Sequence, residues 1–302
     1  MVLITAERIV QLCLLIIAGI TVYRCGLVKH EHMPSVNAIL MNLALPAVTL
    51  TSFQSELIFN GKGELLPILG ISVLIQCMSL LLGFIFIRNH PYANIERASM
   101  AFTNNAFIAI PLLTAVFGEI GTFYASTFNA ISSLPFYTVL PIMITGQGNL
   151  KDNLKQLLNV NVFMCILAVV LLLADIHVPE FILTPLGWLS NMTTPLAMVV
   201  IGCVIANSDF SHMINPRTVF LTLLRLIVIP AIICVVLYFL LHDNQTMLLC
   251  FCVLAATPTG SLVTIYTEQA DSNTALSSGI FMLTTFLSAV TIPIIVLLVE
   301  ML

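Results

Sequence analysis

Two short polar runs interrupt an otherwise apolar chain. Thr103-Asn104-Asn105 and Thr257-Pro258-Thr259-Gly260-Ser261 each fall within a stretch long enough to cross a bilayer, and Pro111 follows the first. A proline inside a helix removes one donor and frees the carbonyl four residues earlier, here that of Phe107 for Pro111 and of Leu254 for Pro258. In hydrocarbon a freed polar group costs several kcal/mol unless protein buries it or it faces a water-filled cavity. Two breaks at matched positions therefore predict a polar cavity between them. After each break a new half-helix starts, with unpaired amides and the positive dipole end toward the bilayer centre. Such a place suits the carboxylate of an anion. The alternative is a pair of proline kinks satisfied by neighbouring helices.

Other polar residues at membrane depth admit two readings each. Asn42 and Asn191 stand four residues before Pro46 and Pro195 and offer amides either to a substrate or to a neighbouring helix. Asn129, with Ser126 and Ser132 at helical spacing, lines the same cavity or bonds between helices. Arg225 lies about two turns inside its span, either snorkelling to the headgroups or drawing anions inward. Glu119 and Glu268 follow the two prolines by eight and ten residues, near the water interface.

The six histidines (His30, His32, His90, His177, His212, His242) map to loops or span ends, and His30-Glu31-His32 lacks the spacing of a zinc protease. The eight cysteines form no CxxC pair and read as small buried hydrophobes, without metal or disulfide. An intramembrane protease needs a nucleophile with a base, or an aspartate dyad, at membrane depth. No Asp or His stands there, so no enzyme and no resident cofactor are expected.

The elements that must hold these residues follow from composition. The 302 residues are 59% hydrophobic and 8% charged, with a mean hydropathy of +1.08, whereas a soluble domain carries roughly a quarter charged residues. This predicts an all-α polytopic membrane protein. A bilayer core needs about 20 apolar residues per helix. Ten stretches qualify, near 5–27, 34–54, 65–87, 97–118, 122–145, 158–175, 186–206, 218–241, 246–267 and 273–299. The longest connector, 146–156, leaves no room for a soluble domain. The first stretch carries Glu7 and Arg8 without a small-residue cleavage site and reads as a retained span. The net charge of -4 is dispersed, which excludes a nucleic-acid surface.

With ten spans the odd-numbered loops share one side. They hold Lys29, Arg88, Arg97, Lys151, Lys155 and Arg217, whereas the even loops and both ends offer Arg8 and Lys62. The positive-inside bias puts the odd loops in the cytoplasm and both termini outside the inner (plasma) membrane.

The chain also echoes itself. Asn42 and Pro46 return as Asn191 and Pro195 (offset 149), Pro111 as Pro258 (147), and Thr122, Ser126 and Pro141 as Thr274, Ser278 and Pro293 (152). Five spans per half is an odd number, so the second half enters the membrane from the opposite face. This predicts two inverted five-helix repeats, 1–148 and 156–302, in one domain, with spans 4 and 9 as broken crossing helices.

MNLALPAVTL at 41–50, TNNAFIAIPLL at 103–113, TTPLAMVVIGCVIA at 193–206 and TTFLSAVTIP at 284–293 resemble the auxin efflux carrier family over essentially the whole chain. That family includes plant PIN-type auxin exporters and bacterial permeases for small organic anions, within a wider group that holds bile-acid, arsenite and riboflavin transporters. The resemblance implies a scaffold of spans 1, 2, 6 and 7 against which spans 3–5 and 8–10 move in elevator fashion. Asn104 matches the asparagine of the family's fourth-span pattern and is the leading candidate for a substrate ligand, with Asn105 beside it. The chain departs from the pattern at Ala106 and Ala109, where glycines are frequent, and at Ser261 and Leu262, where an asparagine is frequent. It also lacks an acidic-basic pair in the third span, which weighs against an auxin-like aromatic acid. The distant bile-acid/sodium symporters use a carboxylate in the corresponding helix, which makes Glu268, with Thr264, the candidate for a coupling Na+; the alternatives are H+ or no ion.

The expected function is a secondary transporter for a small organic anion, a mono- or dicarboxylate such as a malate-like acid. Substrate ligands are expected among Asn42, Asn104, Asn105, Pro111, Asn129, Asn191, Pro258, Thr259 and Ser261. Expected partners are that anion, the lipid bilayer and a second copy in a homodimer. The competing readings are a carrier-fold channel or sensor without turnover, and export of an auxin-like aromatic acid.

Overall fold

A computed structural model describes residues 2–60, 62–88, 90–146, 159–207 and 214–300. Lys151, Lys155, His212 and most of the 146–156 connector, with the expected repeat boundaries at 148 and 156, lie outside them. The described chain is helical apart from turns and one isolated antiparallel β-bridge between Thr103 and Thr259. Among the described residues, six helical segments are long and apolar enough to cross a membrane: His30–Phe53, Leu65–Phe86, Asn105–Thr145, Glu180–Asn207, Pro216–Leu241 and Thr274–Glu300. Val10–Arg24, Val160–Leu173 and Gln245–Ala256 are shorter apolar helices.

The segment Asn105–Thr145 is two helices joined at Gly118, whose φ of 62° suits a residue without Cβ. A Cβ on Gly121 would lie 2.3 Å from the carbonyl oxygen of Leu113. Eight residues of straight helix would separate those positions by about 12 Å, so the chain turns back on itself here. Thr122 locks the turn by donating to the Gly118 carbonyl at 2.8 Å and meeting the Thr114 hydroxyl at 2.8 Å.

Prolines do not mark the interruptions uniformly. Pro46, Pro111 and Pro230 each follow a five-residue π turn, at Leu40–Ala44, Asn105–Ala109 and Leu224–Val228. In each case the residue before the proline donates to the carbonyl five residues back: Leu45 to Leu40, Ile110 to Asn105, Ile229 to Leu224. The wider turn absorbs the missing donor, and the helix continues through the proline. Pro111 therefore sits in a continuous helix, and the expectation that it breaks one is corrected. The first interruption lies upstream, between Ala93–Ala101 and Asn105, while the second falls at Pro258 as expected, between Gln245–Ala256 and Ser261–Gln269.

Small residues let the first helix, Val2–Arg24, meet Thr193–Asn207 at backbone distance. A Cβ on Gly19 would lie 2.3 Å from the Val199 carbonyl oxygen, and one on Gly202 2.2 Å from that of Ile16. Van der Waals contact between backbones holds helices together in lipid, where apolar burial between helices supplies little. Elsewhere the interior is aromatic, with Phe53 edge-on to Phe123 at 4.8 Å and Tyr124 stacked on Phe251 at 5.9 Å.

Candidate functional site

The two interruptions are stitched to each other. The Asn104 amide donates to the Pro258 carbonyl and the Gly260 amide to the Phe102 carbonyl, both at 2.8 Å. The ends of the flanking half-helices are satisfied by side chains. Gln76, from Leu65–Phe86, donates to the Ala101 carbonyl at 3.2 Å. The Thr259 hydroxyl donates to the Ser99 carbonyl at 2.9 Å, and the Thr257 hydroxyl takes the Leu254 carbonyl at 2.7 Å. Arg225 donates from Nη2 to the Thr257 carbonyl at 2.7 Å. The Ala101, Ser99 and Thr257 carbonyls would otherwise stand unpaired in an apolar interior, which costs several kcal/mol; that of Leu254 also takes the Thr257 amide, at 3.4 Å. Gly260 is required by closeness: a Cβ there would meet the Phe136 ring at 2.7 Å and the Thr103 carbonyl oxygen at 3.2 Å.

The helix starts are left open. Neither the turn beginning at Asn105 nor Ser261–Gln269 has a side-chain cap, so two positive dipole ends converge on one place. A recess of about 60 Å³ lies there, lined by Asn104, Asn105, Asn129, Tyr137, Gly260 and Ser261 among others, none of them charged. Among the described residues no hydrogen bond reaches the Asn104 side-chain amide, which lines the recess. Asn105 Oδ1 accepts from the Thr103 hydroxyl at 2.7 Å, but its Nδ2 is buried and unpartnered. Uncapped amides and unpaired carboxamides suit a small carboxylate.

The recess shares the lining residues Asn104, Phe107 and Ser261 with a cavity of about 580 Å³. One wall of this cavity carries His30, Asn37 and Asn207, the other Thr264, Glu268 and Ser278. A separate cavity of about 520 Å³ lies between Gln54, Ser190 and Asn191 on one wall and Thr114, Glu119 and Thr122 on the other. Ser55 donates to Glu119 at 2.5 Å across it.

The expected site residues divide accordingly. Asn104, Asn105, Asn129 and Ser261 come together at the recess. Thr264, whose hydroxyl is buried and unpartnered, and exposed Glu268 line the larger cavity. Pro258 and Thr259 build the bridge through backbone and hydroxyl, without lining the recess. Pro111 lies apart in its helix. Asn42 is exposed and bonds its own helix at the Ala38 carbonyl, 3.0 Å away, so it does not join the cluster. Asn191 faces the second cavity instead. Ser126 and Ser132 are buried with unpartnered hydroxyls, and Ser133 takes the place at the recess.

Snorkelling is ruled out for Arg225, which is fully buried. Sequence reasoning also missed a cluster behind the site: Glu96, fully buried, accepts from Arg217 Nε at 2.8 Å and from Arg217 Nη2, with His90 Nδ1 at 3.0 Å. A carboxylate five residues before the end of a nine-residue helix, facing an arginine in the opposite half, had no local signature. All eight cysteines are free, and no group of three or more His, Cys, Asp or Glu side chains able to hold a metal occurs among the described residues. Five of the cysteines are buried; Cys25 and Cys77 are exposed, and Cys13 is intermediate.

The chain resembles known proteins in sequence. Residues 4–153 and 148–296 separately match the family described as membrane transport protein, which bears out the repeat. The chain is 22% identical over 304 residues to an uncharacterised transporter of Methanothermobacter thermautotrophicus, covering 96% of this chain and 97% of that protein. It is 23% identical over 216 residues to an uncharacterised transporter of Methanocaldococcus jannaschii, covering 66% of this chain and 68% of the other. With two family matches that together span nearly its whole length and helices suited to multiple membrane passes, this chain belongs to the membrane transport protein family, the group of the auxin efflux carriers.

Proposed function

We propose that the protein is a secondary carrier for a small organic anion, working by alternating access in the cytoplasmic membrane. The observation that carries this reading is the convergence of two uncapped half-helix starts and the unpaired Asn104 and Asn105 amides on one uncharged recess. A carboxylate bound there replaces water with fixed donors and needs no titrating partner. With ten spans in two inverted repeats and both termini outside, as this reading has it, the larger cavity would face the cytoplasm. This would be the inward-facing state.

In both cavities span 2 and span 7 line one wall; the other is lined by spans 4, 9 and 10 in the larger cavity and by spans 4 and 5 in the separate one. That arrangement supports movement of one group against the other as an elevator. Thr264 and Glu268 are the candidates for a coupling cation, because an unpaired hydroxyl and a carboxylate face one cavity.

Uptake of labelled carboxylates into proteoliposomes, with and without internal substrate, tests the proposal. Saturable uptake accelerated by internal substrate is expected, falling at least tenfold in Asn104→Ala with folded protein unchanged. Uptake that never saturates would identify a channel. Unchanged kinetics in Asn104→Ala would remove Asn104 from the site.

A further inference from the structure

Glu96 and Arg225 are the charged side chains that the described fold buries. Glu96 is neutralised by Arg217, with His90 Nδ1 also within 3.0 Å. Arg225 has no such partner. Among the described residues no carboxylate pairs with it, its Nη2 is used on the Thr257 carbonyl, and its Nε and Nη1 are buried without acceptors. A guanidinium stays charged in proteins, and an uncompensated charge in an apolar interior is strongly unfavourable. The C-terminal end of Gln245–Ala256, with its partial negative charge, offsets part of this. It does not supply a counter-ion.

Arg225 is tied to the site through backbone. It grips Thr257, the first residue of the second interruption, and three residues later Gly260 and Ser261 line the recess. The recess itself contains no charge. We propose that Arg225 is a positioning and charge-compensating residue for the bound ligand: the missing counter-ion is the substrate's carboxylate, and the site selects a single negative charge. This rests on the carrier reading above and narrows it from mono- or dicarboxylates to monocarboxylates. One fixed positive charge balances one carboxylate. A second carboxylate extending into the larger cavity would meet Glu268, on the same half-helix as Ser261, and like charges repel.

The test uses the purified full-length protein in detergent, titrated with monocarboxylates of two to six carbons, the dicarboxylates of equal length and the corresponding neutral primary amides. Apparent stability reports binding, because a ligand of the native state raises it. At least one monocarboxylate is expected to bind about tenfold or more tightly than both its amide and its dicarboxylate. In Arg225→Gln the preference for carboxylate over amide should fall about tenfold with amide binding retained, and Arg225→Lys should keep part of it. A purely structural role would weaken acid and amide alike, and that result would overturn the proposal. So would a wild-type protein that prefers the dicarboxylate, a comparison that needs no variant. If the wild-type protein binds no carboxylate of either class, the anion-carrier reading falls as well. If it binds them but Arg225→Gln leaves the preference intact, the charge assignment alone fails.

Discussion

The Glu96 carboxylate receives Arg217 along both of its oxygens, yet the two partners stand in different surroundings: the Glu96 side chain is fully buried, while that of Arg217 is 37% exposed. Removing one is therefore unlike removing the other. Arg217→Gln strands a buried carboxylate and should cost about 3 kcal/mol. Glu96→Gln leaves an arginine that can turn to water and should cost about 1 kcal/mol. Thermal melting of the two variants and of the double variant should give that order, with the double variant more stable than Arg217→Gln alone.

Gly260 should tolerate no side chain. Gly260→Ala puts a methyl group 2.7 Å from the Phe136 ring, an overpacking expected to cost about 1–3 kcal/mol. Phe136→Leu in the same chain should restore part of the loss. Equal melting temperatures for wild type and Gly260→Ala would contradict the close packing at the bridge.

Gln76 offers a cleaner test of main-chain satisfaction. Gln76→Leu keeps the volume but removes the donor to the Ala101 carbonyl. The expected loss is about 1 kcal/mol, in the range found for single polar contacts between membrane helices. No loss would mean that another donor reaches that carbonyl.

The two cavities should be reachable from opposite sides. In a background with exposed Cys25 and Cys77 replaced by serine, Glu268→Cys and Asn191→Cys provide the probes, one lining each cavity. An impermeant thiol reagent added to right-side-out vesicles should modify Asn191→Cys, and added to inside-out vesicles should modify Glu268→Cys. Modification of both from one side would contradict the proposed orientation.

The sequence revealed the helices and the second interruption because they depend on local composition. Thr257 to Gly260 carry a proline and a glycine within an apolar stretch, and the chain breaks there. The first interruption misled, since Pro111 looks identical on paper. Nothing in the residue types says that Ile110 will reach back five residues to Asn105 and carry the helix through. Asn104 was legible as polar in an apolar span, but what holds it in place, the Pro258 carbonyl that its main-chain amide bonds, lies 154 positions away. The two readings of Arg225 stayed open for the same reason: its depth along one helix was readable, whereas the Thr257 carbonyl that holds it belongs to another. The Glu96–Arg217 pair joins residues 121 apart and had no local sign at all.

The main-chain bonds between Phe102 and Gly260 and between Asn104 and Pro258 restrict how the molecule can work. A clamshell opening along the seam of the two matched halves would strand two donors and two acceptors in oil. In the proposed carrier those strands of backbone would therefore travel as one carriage, with ligand and arginine aboard, and a rearrangement that exposes the recess to the far side would have to happen at its outer walls.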